Sequence, residues 1–288
     1  MTDGVKTALS LSALRTRPKD APPIVMVTAY DYPSARAADA AGVDMVLVGD
    51  SAATTVLGYA STREITVDEL LVLTRAARRG VRDAILVGDL PFMSYEASDE
   101  LAVGTARRFV DAGCDLVKVE GAREITSRVR AIVASGIEVV GHVGLLPQGA
   151  ASAGELKVRG RSADEAIAIA HEAIALESAG ASALVIEAVP SAVGSAVAQL
   201  VRIPVIGIGA GAGVDGQVLV FHDLLGLGDG HTAKFVRQYA ALRDTTVHAI
   251  SDYAADVRAR RFPGDAETYG MPPAELTVFQ SAVLRPRQ

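Results

Sequence analysis

The chain has 288 residues, half of them hydrophobic, with 5% aromatics and no tryptophan, so it can bury a large core and must build it from aliphatic side chains. Its 34 acids outnumber 28 bases for a net charge of −6, and no basic block stands out, which argues against nucleic acid as a partner. One cysteine, Cys114, excludes an internal disulfide and makes the cytoplasm the expected compartment; no apolar run is long enough to span a membrane, and residues 1–20 contain no signal-peptide core.

Residues 1–20 read as a polar arm in which Leu9, Leu11 and Leu14 could dock a short turn. The first strand is predicted over Ile24–Thr28, with a helix over Ser34–Ala41. The second strand, Met45–Val48, runs into Gly49-Asp50-Ser51 and a long loop, 52–65, of the kind that is more often functional than idle. Thr66 and Glu69 have the spacing of a capping box, and the helix that follows reaches Arg79. Later strands end at Asp89, Glu120, His142 and Glu187, with predicted helices over 98–112, 123–135, 163–179 and 191–200 between them. Ser162 and Glu165 repeat the capping-box spacing. The seventh strand, Pro204–Ile208, enters Gly209-Ala210-Gly211, and the eighth is expected over Leu219–Phe221, reaching His222-Asp223. A long helix is predicted over Ala233–Arg260, with a tail over 262–288. Ala41-Gly42, Ala112-Gly113, Ser135-Gly136 and Ala179-Gly180 repeat one helix-to-strand turn, the mark of alternating units.

Apolar runs of four or five residues suit strands covered on both faces. Four of them deliver an acid to the C-terminal end: Asp50, Asp89, Glu120 and Glu187. That layout predicts a single-domain (β/α)8 TIM barrel over residues 1–288, with its active site on that rim.

Asp50 and Asp89 are hard oxygen ligands that, with substrate and water, suit Mg²⁺; each could instead cap the following turn. Lys118 and Glu120, two apart on one strand, share a face with Val119 opposite, as a structural ion pair or as a substrate clamp beside a metal. Glu187 ends an apolar strand, a placement that suits a general base, though a salt-bridged acid would read the same. His142 could hydrogen-bond a substrate oxygen or be a satisfied core-edge histidine. His171 reads as packing beside Ile167 and Ile174, His231 and His248 carry no supporting pattern, and Cys114 reads as a small core residue. Ser51 could bind substrate or cap a helix. Gly209-Ala210-Gly211 could cradle an anion or allow close packing.

Taken together, Val27-Thr28-Ala29-Tyr30-Asp31-Tyr32, Val48-Gly49-Asp50-Ser51, Asp89-Leu90-Pro91-Phe92, Val117-Lys118-Val119-Glu120-Gly121, Gly141-His142-Val143-Gly144, Pro147-Gln148, Val158-Arg159-Gly160-Arg161 and Pro204–Gly211 with Asp215-Gly216-Gln217 resemble the 3-methyl-2-oxobutanoate hydroxymethyltransferase family. The resemblance implies a barrel that moves a hydroxymethyl group from 5,10-methylenetetrahydrofolate to a 2-oxo acid, and a large homo-oligomer. It implies Mg²⁺ on Asp50 and Asp89, with Glu120 as ligand or support, substrate contacts from Ser51 and Lys118, and Glu187 as proton acceptor. Gly149–Glu155 and Asp265–Tyr269 depart from the family pattern. The alternatives are a hydroxymethyltransferase acting on a different 2-oxo acid, a magnesium-dependent carbon–carbon lyase of the isocitrate-lyase or phosphoenolpyruvate-mutase type, since such barrels also use a Gly-Asp-Ser strand end, and a non-catalytic metabolite-binding relative.

Overall fold

The computed structural model describes residues 9–150, 156–228 and 232–284. Eight parallel strands close in chain order into a barrel: β1 (Ile24–Thr28), β2 (Met45–Val48), β3 (Ile85–Asp89), β4 (Leu116–Glu120), β5 (Glu138–Gly144), β6 (Ala183–Glu187), β7 (Val205–Ile208) and β8 (Gly216–Leu219). The expected barrel is therefore present. Alternation along each strand splits the core in two. Met26, Leu47, Val87, Leu116, Val185 and Ile206 fill the lumen. Val46, Leu86, Val117, Val139, Leu184 and Val205 face the helices. Leu14, on α1 (Leu11–Arg15), joins the lumen cluster with Leu9 and Leu11 packed against it, so the docking turn expected in the arm forms. Arg15 beside it pairs with Glu138 at the start of β5, which places this plug at the N-terminal end of the barrel.

The helices around the strands are α2 (Tyr32–Ala40), α3 (Ala52–Thr55), α4 (Val67–Gly80), α5 (Asp99–Asp111), α6 (Thr126–Ala134), α7 (Ala163–Ser178), α8 (Ser191–Leu200) and α9 (Phe221–Leu225). Thr66 and Glu69 cap α4 reciprocally, as their spacing predicts. The second box is half formed: Glu165 N–H donates to Ser162 Oγ, but the Glu165 carboxylate accepts from Gly160 and Arg161 instead. The repeated small-residue–Gly turns close α2, α5, α6 and α7, with each glycine at positive φ.

Four expectations are corrected. β8 lies earlier than predicted, at Gly216–Leu219, and His222 and Asp223 sit on α9 rather than at a strand end. A Cβ on Gly216 would fall 2.6 Å from the Ile24 carbonyl oxygen, so this strand begins on a bare backbone that propensity does not recognise as strand. His142 lies inside β5, which continues to Gly144. The last long helix begins at Leu242, not Ala233, because Phe235 is drawn to Gly209 in a tertiary contact that overrides local helix preference. His171 is exposed, off the Ile169–Ala173–Leu176 row that α7 buries. His231 lies outside the described residues, as do residues 151–155 of the divergent loop.

Residues 1–240 form one compact unit and 241–288 a second. The second contains α10 (Leu242–Arg258) and α11 (Pro273–Val283), the latter within the stretch expected as a tail. Val247, Ile250, Tyr253 and Val257 make an exposed apolar stripe on α10, and Tyr253 meets Phe262 edge-on at 5.4 Å. No helix among the described residues is long and apolar enough to cross a membrane.

Candidate active site

Strand register assembles the site. Pairing β3 with β4 sets Asp89 beside Lys118, and pairing β4 with β5 sets Glu120 beside His142. Pairing β5 with β6 sets Gly144 beside Glu187. Because these positions face the lumen, side chains far apart in sequence meet above its apolar layers. One cavity of about 180 Å³ is lined by Asp50, Ser51, Asp89, Lys118, Glu120, His142 and Glu187 together. All seven residues expected from the sequence therefore converge.

The hydrogen bonds within it are specific. Lys118 Nζ donates to Asp89 Oδ1 at 2.7 Å and to Glu120 Oε1 at 3.2 Å, so a buried ammonium is held by two buried carboxylates. The Asp50 backbone N–H donates to Asp89 Oδ2 at 3.1 Å. His142 Nδ1 lies 3.2 Å from Glu120 Oε1, and its Nε2 lies 3.3 Å from Glu187 Oε2, near enough for an ion pair but not aligned as a hydrogen bond. Ser51 makes no cap bond; its hydroxyl pairs with that of Tyr30 at 2.8 Å. The Glu187 side chain is 17% exposed, against 1% for Asp89 and 3% for Glu120, so it is the acid most open to an incoming molecule.

Three contributors are not among the site residues expected from the sequence. Gln148 donates from its side chain to Asp50 Oδ2 and to the Leu90 carbonyl, and its backbone N–H donates to Glu120 Oε2, each at 3.0 Å. The Tyr95 hydroxyl donates to Gln148 Oε1 at 2.8 Å and accepts from the Glu120 N–H at 3.1 Å. Tyr30 stands behind Ser51. All three sit on rim segments without hydrophobic period. Tyr30 and Gln148 lie in blocks that carry the family resemblance, whereas nothing in the sequence points to Tyr95. The Gly209 loop, by contrast, is a packing device: a Cβ there would lie 2.6 Å from the Phe235 ring, which lines the cavity, and one on Gly211 would lie 2.5 Å from Ser191.

The electrostatics follow from burial and neighbours. Burial by itself opposes a charge on Lys118, but Asp89, Glu120 and Asp50 outweigh it and hold its pKa well above the ordinary value. Burial likewise opposes ionisation of Glu120, yet Lys118 and His142 bring its pKa down to about 2. His142 resists charging by burial, but Glu120 and Glu187 raise its pKa to about 9. Asp50 moves well above the carboxylate range, first through burial and then through Asp89 and Glu120; Asp89 rises through burial despite Lys118. Cys114, buried against Phe109 under β3, is pushed up to about 12 by burial and is the core residue expected.

Among the described residues, no three His, Cys, Asp or Glu side chains are arranged to hold a metal by themselves. Asp50 and Asp89 are two adjacent hard carboxylates whose charged forms burial disfavours, and a cation would offset that cost, which fits an ion that keeps water and substrate as its other ligands. Glu120 spends both oxygens on Lys118, His142 and Gln148.

Residues 8–265 match the family model for ketopantoate hydroxymethyltransferase. The 3-methyl-2-oxobutanoate hydroxymethyltransferase of Geobacillus thermodenitrificans (strain NG80-2) is 52% identical over 258 residues, covering 89% of this chain and 92% of its own. That of Moorella thermoacetica (strain ATCC 39073 / JCM 9320) is 46% identical over 265 residues, covering 92% and 98%. Among solved structures, a phosphonopyruvate hydrolase in complex with oxalate and Mg²⁺ superposes with a TM-score of 0.60 at 14% identity, covering 96% of this chain and 99% of that one. A 2,3-dimethylmalate lyase of the phosphoenolpyruvate mutase/isocitrate lyase superfamily gives 0.57 at 16%, covering 94% and 98%. The lyase-type likeness is thus one of fold alone, whereas the sequence likeness runs nearly the whole length of the hydroxymethyltransferases. By that match the chain belongs to the ketopantoate hydroxymethyltransferase family.

Proposed function

We propose that this chain transfers a hydroxymethyl group from 5,10-methylenetetrahydrofolate to 3-methyl-2-oxobutanoate, giving 2-dehydropantoate for pantothenate synthesis. The observation that carries this reading is the convergence of Asp50, Asp89, Lys118, His142 and Glu187 on one small cavity. Asp50 and Asp89 would hold Mg²⁺, which as a Lewis acid stabilises negative charge developing on a keto oxygen. Lys118 keeps one N–H free of Asp89 and Glu120, enough to bind the substrate carboxylate and orient it. Ser51, backed by Tyr30, supplies a second polar contact. Glu187 takes the C3 proton, a general-base step worth roughly 10²–10⁴-fold. His142 holds the Glu187 carboxylate from one side and Glu120 from the other, so that the base faces the cavity. Glu120 acts by positioning Lys118 and His142 beside the metal site.

The test is solvent exchange at C3 of 3-methyl-2-oxobutanoate, followed by proton NMR in deuterated water. Glu187→Gln is expected to bind the oxo acid in the presence of Mg²⁺ yet lose exchange; exchange at the normal rate would remove Glu187 from this role. We also propose a cytoplasmic homo-oligomer. The apolar outer faces of β1 and β8, where Val25 is 51% exposed, and the stripe on α10 support association. Light scattering is expected to give a mass several times 29.8 kDa, and a monomer would refute it.

A further inference from the structure

A second cavity, about 420 Å³, opens on the same rim beside the site. Among the described residues, Gly144, Leu146, Gly149, Ala150, Lys157 and Arg159 line it, and their charged members are two cations. It is built on the strand end that bears Glu187: the Leu145 N–H donates to the Glu187 carbonyl, and the Arg159 N–H donates to the Ala188 carbonyl, both at 2.9 Å. Among the described residues, neither the Lys157 nor the Arg159 side chain makes a hydrogen bond or an ion pair. Glu172 on α7 feels Arg123 and Arg159 electrostatically but is ion-paired to neither. The opposite end of the barrel treats its cations differently, pairing Arg15 with Glu138, Lys19 with Asp215 and Arg78 with Asp115. In a chain of net charge −6, cations with no partner among the described residues, placed beside a reaction cavity, contribute little to stability and favour an anion.

The reaction cavity already provides for one anion, since Lys118 lies inside it. A second anionic site outside calls for a ligand whose reacting end enters while a charged end stays on the rim. We infer that Lys157 and Arg159 bind the terminal glutamate carboxylates of the folate co-substrate. This rests on the folate-dependent reading above. A folate carries its one-carbon unit on the pteridine end and two carboxylates on its glutamate, far from the reacting nitrogens. Each further glutamate adds another carboxylate, so longer tails should bind more tightly here. Arg159 presents a planar fork for a carboxylate, and Lys157 a point charge beside it.

The experiment uses the full chain and two probes, tetrahydropteroyl monoglutamate and triglutamate. Their Kd values are measured by calorimetry, and the KM values of the matching methylene forms by initial rates. The double variant Lys157→Ala/Arg159→Ala is expected to raise both quantities roughly tenfold for the triglutamate and less for the monoglutamate, as loss of about 1.4 kcal/mol implies. The KM for the 2-oxo acid is expected to stay within twofold. Arg159→Lys should recover part of the loss, and Arg130→Ala, an exposed charge change on α6, should leave folate affinity unaltered. Equal folate affinity in wild type and double variant, with both turning over, overturns the subsite while leaving the hydroxymethyl transfer standing. A wild-type enzyme that binds neither folate nor uses it overturns both.

Discussion

Through its amide and its backbone N–H, Gln148 ties Asp50, Leu90, Tyr95 and Glu120 together, although it takes part in no secondary-structure ladder of the barrel. Replacing it by Leu leaves the Tyr95 hydroxyl and an Asp50 oxygen without this partner in a buried setting. That should cost about 1–3 kcal/mol of stability, read by urea unfolding. The kcat/KM should fall on the order of 10- to 100-fold, because Asp50 would no longer be oriented. An unaltered rate would show that Asp89 and Lys118 alone keep the acid in place. The residue scale also explains why Lys118 tolerates burial. A lone ammonium there would be strongly disfavoured, but the β3–β4 register brings Asp89 to its side and chain alternation brings Glu120.

At the scale of elements, the end of β7 shows how a loop shapes the cavity. Gly209 has φ of 66° and leaves the space that the Phe235 ring occupies. Gly209→Ala adds a methyl 2.6 Å from that ring and a left-handed conformation that costs roughly 1–2 kcal/mol for other residues. The expected outcome is a lower urea midpoint together with a raised KM for the oxo acid, since Phe235 is part of the cavity wall. A stability loss without any kinetic change would mean the ring does not bear on substrate binding. Strand elements were legible because an apolar run closed by an acid is a local signal. β8 and the segment 232–241 were not, because one begins on a glycine pressed against Ile24 and the other follows Phe235 to a distant partner.

For the whole molecule, closure of eight strands gathers four carboxyl groups, an ammonium and an imidazole into one cavity, where burial disfavours the charged form of Asp50. A dication bound there with substrate stabilises the folded state by mass action, about 2.7 kcal/mol at a hundredfold excess over Kd. Addition of Mg²⁺ and 3-methyl-2-oxobutanoate together should therefore raise the Tm, and EDTA should reverse the rise and remove activity. An Asp50→Asn/Asp89→Asn variant should show no such shift; an equal shift in that variant would place the ion elsewhere.

The sequence by itself determined the barrel class and its first seven strands, which are read from short apolar runs, and its turns, read from a recurring small-residue–Gly pair, but not β8. It also picked out the acids that close the apolar runs, with His142, as strand-end residues, and strand alternation put Lys118 on the face of Glu120. Only the tertiary structure decided what those groups touch. It put Glu120 between Lys118 and His142, set His142 against Glu187, and brought Gln148, Tyr95 and Tyr30 behind them. The physical reason is range. Periodicity and capping act over a few residues, whereas hydrogen-bond partners such as Asp50 and Gln148, 98 residues apart, meet only because the sheet closes on itself.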